Sequence, residues 1–137
     1  VKVGYSNRHL AYACNTSKSI HIKIKTNKEG KVNLSFFKEC IFHELGHHLE
    51  FKSKSLCISS NVFLRLRTSE KRGNYYVNGN FRRGYTGKTY GHSMNAYTEV
   101  VTTGIEKFCT PRKMYNFLKT DLEHFNYILG IISNSHD

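Results

Sequence analysis

Apolar and polar residues alternate over residues 19–25, which read S-I-H-I-K-I-K. Ile20, Ile22 and Ile24 fall on one side of this segment, and polar or basic residues fall on the other. A period of two residues is typical of a half-buried β-strand, so we predict a strand over residues 19–25. The N-K-E-G sequence at 27–30 predicts a turn after it.

Beyond that turn the apolar residues recur at helical spacing. One stripe of the predicted helix is formed by Phe37, Ile41, Leu45 and Leu49. We predict a helix from about Ser35 to Lys52, capped by Asn33 or Ser35 through a backbone N–H bond. Apolar residues continue onto the adjacent face of this helix, which therefore should be buried within the fold.

The rest of the chain alternates between helical and hairpin patterns. Residues 54–68 predict a second helix, residues 95–109 a third and residues 112–132 a last one, with Pro111 between the final two. Tyr75 to Phe81, with Asn78-Gly79 as a tight turn, predicts a β-hairpin, and a glycine-rich loop follows it through Gly84, Gly87 and Gly91.

These elements predict one α+β domain over residues 1–137. In it, a small twisted sheet, made from the 19–25 strand and the 74–83 hairpin region, packs on the central helix, and the last two helices complete the layer. The chain begins at Val1 without an initiator Met or a secretory signal pattern, so we expect a domain excised from a longer protein.

Residues 43–47 read His-Glu-Leu-Gly-His in the middle of the predicted buried helix. Imidazoles four residues apart lie on one helix face, where both can bind one cation. Glu44 lies beside the first ligand, where its carboxylate can take a proton from metal-bound water. A buried helix with these ionisable side chains is costly to desolvate unless a metal satisfies them, so we predict zinc at His43 and His47.

A catalytic zinc site usually has three protein ligands and an open position for water. Glu99 is the preferred third ligand, because it lies beside the apolar face of a separate predicted helix that can pack on the first. Glu106 lies two turns later on the same stripe and is the alternative.

Three segments together resemble the zincin metallopeptidases that use a glutamate ligand. They are the H-E-L-G-H-H run at 43–48, the G-K-T-Y run at 87–90 and the T-E-V-V-T-T-G-I-E-K-F run at 98–108. The chain most resembles compact zincin-like domains of phage virion proteins and bacterial toxins, and more distantly the lethal-factor-like peptidases. The metzincin branch does not fit, because no further histidine follows His47 at the required spacing.

The resemblance implies zinc-dependent hydrolysis of peptide bonds, with Glu44 as general base and the glutamate of the T-E-V segment, Glu99, as third ligand. It also implies a loop tyrosine that stabilises the oxyanion. Tyr90 is the matching residue, and Tyr97 is the reserve. The substrate is then a peptide or protein, and strand addition at the edge formed by residues 20–25 is the expected mode of binding.

Other histidines and carboxylates near the motif have less defined roles. His48 and Glu50 should act behind the ligands or lie on the surface, and His92 could contact substrate or face solvent. Cys14, Cys40, Cys57 and Cys109 form no C-x-x-C pair, and we expect free thiols.

The net charge of +11 allows an acidic partner. The basic residues are scattered without a recognition motif, which argues against a nucleic-acid-binding module. We keep such a module as one alternative hypothesis. The other alternative is a catalytically inactive, structural metal site in a virion or toxin protein. No apolar stretch is long enough to span a bilayer, so a membrane partner is not expected, and the location of the protein stays open.

Overall fold

The fold, taken from a computed structural model, is described for residues 2–5, 11–22 and 26–134. It is an α+β arrangement, as the sequence predicted, with two small sheets and five α-helices in the described ranges. The strands are β1 (Lys2–Tyr5), β2 (Ala11–Cys14), β3 (Ser19–Ile22), β4 (Glu70–Arg72) and β5 (Tyr75–Val77). The helices are α1 (Leu34–Lys52), α2 (Lys54–Arg67), α3 (Val100–Ile105), α4 (Pro111–Thr120) and α5 (Leu122–Asn134).

The predicted strand at 19–25 is confirmed over its first four residues, which form β3. Ile20 and Ile22 are buried as the alternation required, whereas Ile24 lies outside the described residues. β3 pairs in parallel with β1 and antiparallel with β2, so it is the central strand. The prediction that it offers a free edge was therefore wrong. β2 is the edge strand that packs against α1.

Local capping residues explain the bounds of the first two helices. The side chain of Asn33 accepts a hydrogen bond of 3.1 Å from the backbone N–H of Phe36, which fixes the start of α1. Ser53 ends α1 and caps α2, because its hydroxyl accepts a hydrogen bond of 3.1 Å from the N–H of Leu56. α1 thus lies between two capping residues, with the His-Glu-Leu-Gly-His motif in its interior.

The position of the hairpin and the sheet that it forms differ from the prediction. β5 pairs with β4, which precedes it, and the tight turn is Gly73-Asn74, where Gly73 adopts a φ of +57°. Asn78 also turns the chain, with a φ of +62°, but no strand follows it in the described part of the chain. The hairpin forms a separate two-stranded sheet and does not extend the sheet that contains β3.

The two C-terminal helical predictions also need correction. Residues 95–99 are not helical, because Thr98 bridges to Thr89 in extended backbone, so α3 begins only at Val100. The single helix predicted over 112–132 is divided at Asp121, whose carboxylate accepts a hydrogen bond of 3.1 Å from the N–H of His124 and so caps α5.

α3 lies in the middle of the fold, between α1 and α5. It supplies three residues to the main apolar cluster of the described residues, which comprises Leu64, Tyr76, Val100, Val101, Ile105, Phe117 and Ile128. Two short 3₁₀ turns, Gly84–Gly87 and Glu106–Phe108, flank this arrangement. None of the described helices is long and apolar enough to cross a membrane. All four cysteines are free thiols, and Cys57 is buried.

Candidate metal centre

His43 and His47 lie one turn apart on the same face of α1, as their spacing predicted. Their ring centroids are 5.3 Å apart, and the side chains are 16% and 13% exposed. The Nε2 atoms of both rings point toward the same carboxylate. The helix therefore presents two nitrogen ligands in a half-buried position that is open on one side.

That carboxylate belongs to Glu99, the residue immediately before α3, and it is fully buried. One of its oxygens lies 3.2 Å from Nε2 of His43, and the other lies 3.4 Å from Nε2 of His47. The three side chains offer ligand atoms that all lie within 4.8 Å of one another, so this group could hold a metal ion. Glu44 is not part of the group.

The spacing of the group suits a small tetrahedral ion. Two ligand atoms bound to one such ion at about 2.1 Å lie about 3.4 Å apart, which matches the distances between the imidazole nitrogens and Glu99. Two imidazoles and one carboxylate are also a donor set that zinc accepts. The residues therefore fit zinc, although the group does not by itself identify the metal.

Close contact between α1 and α3 brings Glu99 to the histidines. Gly46 lies between the two histidines, and a Cβ atom there would come within 2.8 Å of Cα of Thr102 on α3. The hydroxyl of Thr102 in turn donates a hydrogen bond of 2.6 Å to Glu99. The glycine of the motif thus permits the helix packing that places the carboxylate of Glu99 beside the histidines.

Glu106, the alternative third ligand, takes a different position. Its Oε2 atom accepts a hydrogen bond of 2.8 Å from Nδ1 of His43, on the side of the ring that faces away from Glu99. A carboxylate on the far nitrogen fixes the tautomer and orientation of a ligating histidine. Glu106 is therefore placed behind His43, whereas Glu99 lies in the group that could bind metal.

The same contacts shift the ionisation of the cluster. Burial would raise the pKa of Glu99, but hydrogen bonds from His43 and His47 outweigh it and lower the pKa well below its usual range. Burial would lower the pKa of His43, yet its bonds to Glu106 and Glu99 raise it to about 10. Without a cation the cluster thus holds a proton, and a bound metal would have to displace it.

Glu44 lies in the wall of the cavity beside the histidines and is 5% exposed. Burial raises its pKa, while the neighbouring imidazoles and the backbone of Ala13 act in the opposite direction. A raised pKa brings a carboxyl group closer to the range in which a general base accepts and returns protons near neutral pH.

Two tyrosines contact Glu99 from the loop after the hairpin. The hydroxyl of Tyr90 donates a hydrogen bond to Oε1 of Glu99, and the hydroxyl of Tyr85 donates another of 2.8 Å to the same atom. The reserve residue, Tyr97, lines the same cavity, but its ring packs on Phe51 at a centroid distance of 4.9 Å. Tyr85 was not predicted from the sequence, although it lies in the glycine-rich loop after the hairpin.

Both tyrosines are harder to ionise than usual. Burial and the neighbouring carboxylate of Glu99 raise the pKa of Tyr85 to about 12, against the opposing hydroxyl of Tyr90. Burial, followed by the bond to Glu99, also raises the pKa of Tyr90. Their hydroxyl groups therefore stay protonated at neutral pH and can act as hydrogen-bond donors.

Two further residues of α1 hold the surroundings in place. Glu50 is 1% exposed and accepts hydrogen bonds from the backbone N–H and the hydroxyl of Thr98, at 2.9 and 2.7 Å. Thr98 precedes Glu99, so this contact helps to position the carboxylate of Glu99. His48, 3% exposed, donates to the carbonyl of Ser19 at 3.0 Å and ties α1 to β3. Both residues lie behind the cluster rather than on the surface.

The cavity beside the cluster measures about 300 Å³. Three motif side chains and five aromatic or small residues line it: Ala13, His43, Glu44, His47, Phe51, Tyr85, Tyr90 and Tyr97. His92 is exposed and is not among them. Ala13 belongs to β2, so the edge strand runs along this cavity.

Comparisons of this chain with known protein families, with curated proteins and with solved structures found no match.

Proposed function

We propose that this chain is a zincin-like metallopeptidase domain that hydrolyses peptide bonds with a zinc ion held by His43, His47 and Glu99. The observation that carries the proposal is the convergence of these three ligand atoms within 4.8 Å, beside a fourth side chain, the carboxylate of Glu44, that is not among them. Three protein ligands are the usual number in a catalytic zinc site, whereas structural sites usually have four.

Zinc bound at this cluster would act as a Lewis acid that polarises the peptide carbonyl and lowers the pKa of water. Glu44 accepts the proton of the attacking water and passes it to the leaving amine. The hydroxyl of Tyr90, which donates to Glu99 in the metal-free protein, would leave that carboxylate and donate a hydrogen bond to the oxyanion that develops on the carbonyl. Glu106 keeps His43 oriented through Nδ1, and Thr102 keeps Glu99 oriented through Oε2.

The edge of β2 is the place where a substrate can lie. In the described part of the chain β2 has β3 on one side and is the outer strand on the other, and Ala13 lines the cavity next to Glu44. An extended peptide can add to such an edge through backbone hydrogen bonds. This replaces the edge predicted at residues 20–25, because the described part of that segment, Ser19–Ile22, has a paired strand on each side.

Metal binding is tested first, by elemental analysis of the purified protein. The wild type should contain about one zinc per chain and His43→Ala should contain almost none, because one of three ligands is lost. His92→Ala is the matched control, since His92 is exposed and lies outside the cavity. Equal zinc content in the wild type and His43→Ala would contradict the assignment.

Catalysis is tested with the zinc-loaded protein and a broad peptide library. Glu44→Gln should retain zinc and lose turnover by about 10² to 10⁴-fold, because the amide cannot accept the proton. Glu123→Gln, which changes an exposed carboxylate on α5, should leave turnover unchanged. Inertness of the zinc-loaded wild type toward the whole library would favour the structural metal site instead.

A further inference from the structure

A second cavity, of about 780 Å³, lies beside the N-terminal half of α1. Of the described residues that line it, one is a carboxylate, Glu39, and five are cationic: Arg82, Arg83, Lys107, Arg112 and Lys113. We call this region the basic cavity. None of its residues belongs to the metal cluster or to the cavity beside it.

The basic cavity and the cavity of the metal centre are both bordered by α1 and by the segment that follows the hairpin. Ser35 and Glu39 line the first and His43, His47 and Phe51 line the second, and these five residues follow one another at intervals of four along α1. Successive residues in such a row are neighbours on the helix surface, and the row winds slowly around the helix from the basic cavity to the metal centre. Arg83 of the basic cavity is also only two residues from Tyr85 of the metal centre.

The positive charge of the basic cavity is not balanced by the carboxylates around it. Glu39 pairs with Lys113. Oε1 of Glu106 lies 3.8 Å from Arg83 and 4.0 Å from Lys107, and Oε2 accepts a hydrogen bond from His43. Within the described ranges, Arg82 and Arg112 have no carboxylate within ion-pair distance.

The crowding of cations also affects Lys107. Burial lowers its pKa, and the neighbouring charges of Arg83 and Arg82 lower it further, against the effect of Glu106 and Glu39. An anion in the basic cavity would relieve this repulsion. The cavity is therefore complementary to negative charge.

The cavity of the metal centre, at the other end of this row of α1 residues, is different in character. Phe51, Tyr97 and Ala13 give it aromatic and small apolar walls. A nucleic acid carries a phosphate at every nucleotide and would place charge against this apolar end as well as the basic one. A peptide can carry its negative charge at one end only, so the distribution of charge favours a peptide.

The two regions are separated by a distance that an extended peptide spans in a few residues. From the middle of the His43–His47 pair to the middle of the Ser35–Glu39 pair is eight residues of α1, or about 12 Å at 1.5 Å per residue. An extended chain covers that distance in about four residues. Resting on the peptidase function proposed above, we propose that the substrate is a polypeptide with acidic side chains about four residues from the scissile bond, bound by the basic cavity.

Binding is tested in the Glu44→Gln variant, so that the probe is not cleaved. A fluorescein-labelled oligoglutamate peptide should bind in a salt-dependent way, and the double variant Arg82→Glu/Arg112→Glu should weaken its binding by about tenfold or more. Arg65→Glu is the matched control, because Arg65 is exposed on α2 and does not line the basic cavity. Equal weakening by the control, or none by the double variant, overturns the proposal.

Cleavage supplies the second readout. Among library peptides that the wild type cleaves, glutamate about four residues from the cut should raise kcat/KM over the matched glutamine peptide, and the double variant should abolish the difference. Cleavage with no such difference overturns the acidic preference alone. Oligoglutamate binding that depends on Arg82 and Arg112, in a protein that cleaves nothing, overturns the peptidase function alone. Stronger binding of a single-stranded DNA oligonucleotide than of oligoglutamate overturns the choice of a peptide.

Discussion

The carboxylate of Glu106 accepts a hydrogen bond of 2.8 Å from Nδ1 of His43, on the opposite side of the ring from Glu99. Because the proton on Nδ1 is held there, Nε2 of His43 is left with its lone pair toward the cluster when the imidazole is neutral. The two glutamates that the sequence offered as alternatives are thus both used, in different ways. Glu99 lies among the candidate ligands and Glu106 orients one of them.

Removal of Glu106 should weaken metal binding without removing a ligand. We expect Glu106→Ala to lower zinc affinity by about 10 to 100-fold, because the ring of His43 loses the group that fixes its tautomer. Competition with a chromogenic chelator measures the affinity. Glu106→Gln keeps a hydrogen-bond acceptor and should restore part of it, and Glu123→Gln on α5 is the control. Unchanged affinity in Glu106→Ala would show that the contact does not support the ligand.

Replacement of Tyr90 or Tyr85, which contact Glu99, should lower turnover more than replacement of Tyr97, whose ring packs on Phe51 in the same cavity. We expect Tyr90→Phe to lower kcat by about 10² to 10³-fold with a small change in KM, as for loss of an oxyanion donor. Tyr85→Phe should lower kcat less, because its hydroxyl reaches the reaction through Tyr90 and Glu99. Tyr97→Phe should retain kcat. Steady-state kinetics on one cleaved peptide measures all three, and equal kcat in Tyr90→Phe and Tyr97→Phe would remove Tyr90 from its role.

The first helix and the candidate ligands could be predicted because their signals are local. Asn33 and the apolar residues after it define α1, and a spacing of four residues places His43 and His47 on one face whatever else the chain does. Glu99 required one further assumption, that its segment packs on α1. The separate role of Glu106 depends on which side of the His43 ring it approaches, and no sequence pattern encodes that.

The sheet could not be predicted because its pairing is not local. The central position of β3 results from parallel pairing with β1, and the K-V-G-Y alternation of residues 2–5 is too short to predict a strand or its partner. The hairpin turn was misplaced because Asn78-Gly79 and Gly73-Asn74 are both good turn sequences, and only pairing with Glu70–Arg72 distinguishes them. The break at Asp121 is a capping signal that the apolar stripe of the helix obscured.

Glu50 should make the stability of the protein depend on pH. Burial raises its pKa from the ordinary value of 4.5 to about 7, against the hydrogen bonds from Thr98. The folded state therefore binds more protons than the unfolded state between these values, and stability falls as the pH rises from about 4.5 to about 7. The difference corresponds to about 3 kcal/mol of unfolding free energy above pH 7 relative to pH 4.

Urea unfolding at a series of pH values, with a chelator present, measures this contribution. Glu50→Gln should lose the pH-dependent part, because an amide does not ionise and can still bond to the N–H and the hydroxyl of Thr98. Glu29→Gln is the control, since the Glu29 side chain is 74% exposed. Parallel stability curves for the wild type and Glu50→Gln would show that Glu50 does not titrate in this range.

Gly46 should be needed for the approach of α3 to α1. A Cβ atom at this position would lie 2.8 Å from Cα of Thr102 and 3.3 Å from its backbone nitrogen, and backbone atoms cannot move aside cheaply. Replacement of glycine by alanine inside a helix normally stabilises it by up to about 1 kcal/mol. Here overpacking costs about 1 to 3 kcal/mol, so we expect Gly46→Ala to lower the free energy of unfolding. Zinc affinity should also fall, because Thr102 holds Glu99.

Gly130 provides the matched control for this change. It lies within α5, and a Cβ atom added there meets no other atom within 4 Å. Gly130→Ala should therefore raise the free energy of unfolding by about 0.5 to 1 kcal/mol and leave zinc affinity unchanged. Urea unfolding of both variants without metal, followed by zinc titration, separates the two effects. If Gly46→Ala is as stable as Gly130→Ala and binds zinc like the wild type, the close packing of α1 on α3 is not what places Glu99.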